Sequence, residues 1–489
     1  MNYAMIFYIM GVIMNAEAAL MLLPLLVSLI YHDGCILSFL LPAALLLLLG
    51  VLCIRRKPEN TVIFAREGFV IVAGAWIVMS LFGALPFVLS GSIPNYIDAL
   101  FETVSGFTTT GASILTDVEA MQHSLLFWRS FTHWVGGMGV LVFVMAIVPL
   151  AGGRSVYLMR AETPGPVVGK LVPKMRSTAM ILYGIYMGLT VLEVILLKCG
   201  GMPFFDCLVN SFGSVGTGGF GIKADSIAYY DSAYIDIVIT IFMILCGINF
   251  NLFYLILTGH ILQTLKSEEL RWYLGIILVA TLAITYDILS MYDSVAQALR
   301  YAVFQVASII TTTGFATADF NLWPPLSRTI LVVLMILGAC AGSTGGGLKT
   351  ARLVLLLKSI VRDVKKALHP RAYTVIHYEG KPVEESTVSG VGSYFALYMV
   401  ITVISILLLS INEYDFTSTV TAVLSCFNNV GPGLEIVGPM GSYAPFNAFS
   451  KIILTLDMLM GRLEIIPLIM LASPAVWQRG KSKKIKKKS

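Results

Sequence analysis

The chain has 489 residues, 57% of them hydrophobic and only 12% charged, with a mean hydropathy of +0.84. A soluble protein carries roughly twice that share of charge, so the composition excludes a soluble globular fold and points to an all-α integral membrane protein. The net charge of +5 is no sign of nucleic acid, because Lys and Arg gather in loops beside apolar runs. Seven cysteines, at 35, 53, 199, 207, 246, 340 and 426, form an odd set set mostly in apolar stretches. That speaks against a disulfide framework or a metal cluster; Cys199 and Cys207 are the pair close enough in sequence to consider.

The chain opens with two apolar segments, about 4–30 and 35–53, that form a hairpin around "YHDG" and close at Arg55. No Lys or Arg precedes Arg55 and the first run is long enough to span, so it is expected to stay as a helix and not to be cleaved as a signal. Four pairs follow. Their first helices are expected near 68–90, 178–198, 272–290 and 390–411, and their second near 124–150, 233–258, 328–348 and 447–472. The resulting division is a hairpin at 1–66 and four units at 67–160, 161–265, 266–375 and 376–489.

Charge orients the chain. The segments 54–66, 152–177, 259–271, 349–385 and 478–489 hold 26 basic and 8 acidic residues. The segments 91–123, 199–232, 291–327 and 412–446 hold two basic residues, Lys223 and Arg300, and twelve acids. By the positive-inside rule the first set is cytoplasmic, as are both termini. The tail "KSKKIKKKS" reads as a retention charge or solvated end, with attraction to anionic lipid as the alternative. The twelve outer acids are expected to concentrate cations at the mouth.

Between the members of each pair lies one recurring string: "ALFETVSGFTTTG" at 99–111, "CLVNSFGSVGTGG" at 207–219, "AVFQVASIITTTG" at 302–314 and "TVTAVLSCFNNVG" at 419–431. Each starts as an apolar stretch of about two helical turns, too short to span, and then breaks into small polar residues and glycine. The closing glycines are 108, 95 and 117 residues apart. Irregular backbone at membrane depth is tolerated where it lines a water-filled path or is packed in protein. Glycine lets successive carbonyls face one way, and four such segments around an axis make a ring of oxygens able to replace a cation's water shell. One copy alone would read as an outer loop with a turn glycine; four in phase argue for the ring. All four share one orientation, unlike the inverted repeats of many secondary transporters.

Other residues invite a role. In "GACAGSTGGGLKTAR", 338–352, a glycine triplet should unwind the lower half of a span, as either a packing kink or a flexible plug. Arg462 lies inside the last span, where an Arg is functional or paired. Either it bridges to another helix, for instance to Asp457 if the helix breaks near Gly461, or it retards cations below the ring. Glu464 lies on another helical face from Arg462. Arg129 and His133 stand four apart, and no second ligand accompanies His133, so a packed, hydrogen-bonded histidine is expected. Asn249 and Asn251 read as helix–helix hydrogen-bonding residues. An intramembrane hydrolase would need a catalytic pair, and Asp457 and Glu464 are the mid-span carboxylates that stand out. No Walker A loop or dinucleotide fingerprint is present, so nucleotide control requires a partner.

The four loops, "GINFNLF" at Gly247, "AGSTGGGLKTAR" at Ala341 and "NNVGPGLE" at Asn428 resemble the Trk/Ktr/HKT potassium-transporter superfamily. The N-terminal hairpin, "FWRSFTHWVGGMGV" and "HPRA" at His369 resemble its bacterial TrkH branch, over essentially the whole chain. The second and fourth loops, "GTGG" and "NNVG", depart from the Thr pattern. The resemblance implies potassium uptake across the bacterial inner membrane, with K⁺ as cargo and no covalent cofactor or enzymatic activity. The filter residues are then Thr109, Thr110, Gly111, Thr217, Gly218, Gly219, Thr312, Thr313, Gly314, Asn429, Val430 and Gly431. The gating residues are Gly345, Gly346, Gly347, Lys349 and Arg462. The implied partners are a second copy of the chain in a homodimer and a cytosolic RCK-type nucleotide-binding ring protein, with membrane lipid around the spans. A symporter that couples K⁺ to Na⁺ or H⁺ is the alternative.

Overall fold

The computed structural model describes residues 1–60, 63–139, 175–371 and 374–477. The expected helix end at 140–150, most of the loop 152–177 and the basic tail lie outside the described residues. Among those described, six helices are long and apolar enough to span: Tyr3–Tyr31, Ile36–Ile54, Ala65–Leu89, Ser177–Cys199, Glu268–Met291 and Glu385–Asn412. The first two are the hairpin and the other four match the first helices of the four pairs. In the hairpin, a Cβ on Gly11 would sit 2.8 Å from the Gly50 carbonyl oxygen, so small residues bring the two backbones into contact. Asp33, in the connecting turn, accepts from the Ser124 N–H at 2.9 Å and so caps the helix His123–Gly137 of the first unit.

The four short helices exist and are longer than the two turns expected: Tyr96–Phe107, Phe204–Val215, Val295–Ile310 and Phe416–Phe427. Twelve residues rise about 18 Å, still short of the roughly 30 Å hydrocarbon core. Asn95, Ser294 and Asp415 cap three of them through side-chain oxygens. The fourth starts after Pro203 with Asp206 in its first turn, which suits the positive end of the helix dipole.

The second helices correct the expectation of continuous spans. The second unit has two helices, Ala233–Cys246 and Phe250–Leu257, bent by 96°. The third stops at Ile336 and restarts as Thr350–Leu368, a helix inside what reads as a cytoplasmic loop. The fourth breaks between Ala448–Arg462 and Ile466–Ala472, and in the first, His123–Gly137 ends at Met138. Asn249 is therefore not a mid-helix contact residue: it caps Phe250–Leu257, accepting from the Asn251 N–H at 3.0 Å. A small β-hairpin, His377–Tyr378 with Lys381–Pro382, also lies in that cytoplasmic stretch.

Packing closes the units into a ring. Each second helix packs on its own short helix and on that of the next unit. His123–Gly137 meets Phe204–Val215, Ala233–Cys246 meets Val295–Ile310, Pro325–Ile336 meets Phe416–Phe427, and Ala448–Arg462 returns to Tyr96–Phe107.

Candidate functional site

All four short helices end in the same way. In the first, the Thr109 N–H donates to the Gly106 carbonyl at 3.1 Å and the Thr110 N–H to the Ser105 carbonyl at 2.9 Å. The same two bonds recur at Thr217 and Gly218, Thr312 and Thr313, and Asn429 and Val430. This is the Schellman termination, whose C′ residue is left-handed; φ is +53° at Thr109 and Thr217, +57° at Thr312 and +56° at Asn429. Two residues later each glycine is left-handed again, at +79°, +73°, +87° and +99° for Gly111, Gly219, Gly314 and Gly431. Left-handed residues two apart are the kind of backbone that a run of carbonyls facing one way requires.

The loops meet in cyclic order. A Cβ on Gly111 would lie 2.1 Å from the Gly218 oxygen, on Gly219 1.9 Å from the Thr313 oxygen, on Gly314 2.3 Å from the Val430 oxygen, and on Gly431 2.6 Å from the Thr110 oxygen. The chain of contacts runs through units one, two, three and four and back to one. A cavity of about 380 Å³ lies over the ring, lined by all four glycines. The fourth loop differs in two ways: Tyr443 donates to the Gly431 carbonyl at 2.8 Å, and the Asn429 amide reaches Thr110 Oγ1 at 3.0 Å and the Met458 carbonyl at 2.9 Å.

Charged side chains brace the ring from outside. Arg129 pairs with buried Glu102 at 2.6 Å and donates to the Gly221 carbonyl at 2.8 Å, while Glu102 also accepts from Ser113 and the Ile114 N–H. His133 donates from Nδ1 to the Gly106 carbonyl at 2.7 Å and accepts at Nε2 from the Phe220 N–H at 3.3 Å. It is the packed histidine expected, and its ring stands 2.2 Å from where a Gly218 Cβ would be, which accounts for "GTGG". Four of the twelve outer acids, expected to concentrate cations at the mouth, meet basic partners. Asp98, Glu102, Glu119 and Glu435 are paired with Lys451, Arg129, Lys223 and Arg328, and none of the twelve lines the cavity. Lys451 escaped notice because it is written inside an apolar run.

Beneath the ring, residues 337–349 form a loop closed at its neck by a β-bridge between Leu337 and Leu348. The Gly346 N–H donates to Thr312 Oγ1 at 2.6 Å, and a Cβ on Gly345 would come 2.9 Å from the Thr311 oxygen. The loop also docks on the break in the second unit, the Phe250 N–H donating to the Gly342 carbonyl at 3.0 Å and Thr344 Oγ1 to the Cys246 carbonyl at 3.1 Å. Buried Lys349 donates to the Gly345 carbonyl, so it belongs to the loop's own framework.

Arg462 does not bridge to Asp457, which accepts from Ser405 at 2.8 Å. Its guanidinium donates to the carbonyls of Thr344 at 2.7 Å, Gly136 at 2.6 Å and Gly137 at 2.8 Å, joining the loop to the first unit's break. Glu464 pairs with Arg352 of the third unit; it lies in the break after Arg462, with φ of +62°, and not on a helical face as expected. Two further carboxylates inside spans, Glu17 and Glu193, are fully buried and were not evident as mid-span acids; Glu193 accepts from Ser214 at 2.6 Å. All seven cysteines are free. Sequence reasoning missed Gly136 and took Gly461 only as the place of a helix break; a Cβ on them would lie 1.8 Å from the Phe107 oxygen and 2.0 Å from the Phe427 oxygen. Their signal is a glycine at a similar interval after each ring glycine.

Comparison with known proteins places this geometry. The family model described as TrkH, cation transport protein, matches residues 39–479. The "Trk system potassium uptake protein TrkH" of Salmonella typhimurium is 37% identical over 98% of this chain and 100% of its own length. The protein of that name from Escherichia coli is 36% identical with the same coverage. The crystal structure of the potassium transporter TrkH from Vibrio parahaemolyticus superposes with a TM-score of 0.87 at 33% identity, covering 98% of this chain and 100% of that one.

Proposed function

The chain belongs to the TrkH cation transport family, and from that premise we propose that it is the pore subunit of a Trk-type system that takes up potassium across the inner membrane. Its family and relatives are transporters, and the chain is not an enzyme. The observation that carries the reading is the closed cycle of four glycines against four carbonyls. On this reading Thr109 to Gly111, Thr217 to Gly219, Thr312 to Gly314 and Asn429 to Gly431 strip water from K⁺ and replace it with backbone oxygen. Gly345 to Gly347, framed by Lys349 and tied by Arg462, obstruct the path beneath until a signal moves them.

The finer reading is a homodimer with both termini in the cytosol, gated by an RCK-type nucleotide-binding ring. The basic bias of one loop set supports that orientation, and the missing phosphate loop supports an external nucleotide sensor. Coupled entry of Na⁺ or H⁺ is not favoured, since four units of one orientation surround a single axis and supply no inverted pair for alternating access.

The test is ion flux into proteoliposomes containing this chain alone, K⁺ against Na⁺. The expected result is K⁺ current that reverses at the K⁺ equilibrium potential. A reversal that moves with the Na⁺ or proton gradient would make the protein a symporter, and equal K⁺ and Na⁺ flux would end the filter reading.

A further inference from the structure

The Gly-rich loop is held at both ends by one carboxylate. Glu269, in the first turn of Glu268–Ile288, is 5% exposed. Its Oε1 accepts from the Ala341 N–H at 2.6 Å and from the Ala351 N–H at 3.2 Å. One amide enters the loop just before Gly342; the other opens the helix Thr350–Leu368 that leaves it. Two backbone amides donating to one carboxyl oxygen clip the loop's entry to its exit.

The clip is itself held by the β-hairpin. Glu379, at the hairpin tip with φ of +52°, accepts from Ser267 Oγ at 2.8 Å and from the Glu269 N–H at 3.0 Å. Buried Tyr378 places its phenol beside the Glu269 carboxylate. Lys358 of the exit helix donates to the His377 carbonyl at 2.6 Å and pairs with Glu268 at 2.5 Å. Ala341, Ala351, Val354, Tyr378 and Val391 share one buried cluster, so hairpin, helix and loop pack as a unit.

We propose that Glu269 is a positioning residue that latches the Gly-rich loop across the ion path, and that the hairpin tip at Glu379 sets the latch. The inference rests on the loop being the gate, and the test separates the two. Full-length parent, Glu269→Ala, Glu269→Gln and Glu379→Ala proteins, all with exposed Cys199 and half-buried Cys53 replaced by Ser, are placed in proteoliposomes. K⁺ flux is measured alongside thiol-reagent labelling of native Cys340, which is buried beside the latch and read by peptide mass spectrometry.

Glu269→Ala should raise both Cys340 labelling and flux roughly tenfold or more, the factor that losing two hydrogen bonds carries. Glu269→Gln keeps an acceptor oxygen and should restore most of the parent behaviour, and Glu379→Ala should raise labelling by a smaller factor. Parent-like labelling of folded Glu269→Ala overturns the latch. Raised labelling with unchanged flux upholds the latch and overturns the gate beneath it. If Glu269→Ala does not fold, Glu379→Ala decides alone, raised labelling supporting the latch and parent-like labelling overturning it.

Discussion

Four residues occupy left-handed backbone at the ends of the short helices, and the position suits one of them. Asn429 is a common occupant, whereas Thr109, Thr217 and Thr312 are β-branched and pay a steric penalty there. Such conformations cost about 1–3 kcal/mol each and persist when surrounding structure over-determines them, which here means two Schellman bonds per loop and contact with both neighbours. The glycine two residues on has no such slack. Gly111→Ser and Gly314→Ser would drive a Cβ into the Gly218 or Val430 carbonyl at 2.1 or 2.3 Å and push that oxygen off line. Reversal potentials should show K⁺ preference over Na⁺ falling sharply in both; wild-type ratios in both would remove the ring from the ion path. Arg462 poses a different question, because its guanidinium is both a charge and a tie between two units. At an effective dielectric of ~20 a unit charge ~6 Å from K⁺ opposes it by about 3 kcal/mol, roughly a hundredfold in rate. Arg462→Gln should therefore raise K⁺ flux per folded molecule without changing selectivity. Arg462→Lys keeps the charge but not the three-carbonyl geometry: parent-like flux would assign the effect to charge, and Gln-like flux to the tie. A destabilised Arg462→Gln with no gain in flux would defeat the barrier.

At the scale of elements, a break or an end in each second helix brings its unit's glycine up to the ring. Each break frees backbone groups that must find partners inside the membrane, and they find them in one another. The Cys340 N–H donates to the Gly247 carbonyl at 3.0 Å and the Phe250 N–H to the Gly342 carbonyl at 3.0 Å, so the second unit's break and the third unit's loop satisfy each other. Deleting Gly345 to Gly347 leaves the Leu337–Leu348 neck in place and removes the segment that touches Thr312 and lies against Asn428 and Asn429. The shortened protein should carry more K⁺ and depend less on any cytosolic partner, measured by flux with and without that partner. Unchanged flux in a well-folded deletion would leave the loop as a packing kink. Of this arrangement the glycine triplet was legible in the sequence, since it opposes helix by composition alone. A break near Gly461 was allowed for; the helix end at Gly137 and the break at Gly247 were not legible, because their flanks remain apolar and helix-prone while the groups packed on them, Tyr186 and Gly216 on Gly137 and Tyr273 and Thr311 on Gly247, are remote in sequence.

Over the whole molecule, the proposed filter would gather carbonyl dipoles whose mutual repulsion a dehydrated cation relieves. A ligand that binds the folded state alone adds about 2.7 kcal/mol at a hundredfold excess over its Kd. Unfolding temperature should therefore rise with K⁺ and much less with Na⁺ or choline at equal ionic strength, and identical curves in the three salts would contradict ion binding at the ring. The sequence by itself determined the membrane class, the hairpin, the four first helices and the four glycine-ended strings, because each is written in local composition and repeated in order. Tertiary structure alone decided which units are neighbours, that the cycle closes from the fourth loop onto Thr110, and that Arg462 meets Thr344 and Gly136 instead of Asp457. It also paired four of the twelve outer acids, with Lys451, Arg129, Lys223 and Arg328. Charge in a sequence has a sign but no partner, and a left-handed glycine has a shape but no facing carbonyl; both acquire them when distant segments are packed against one another.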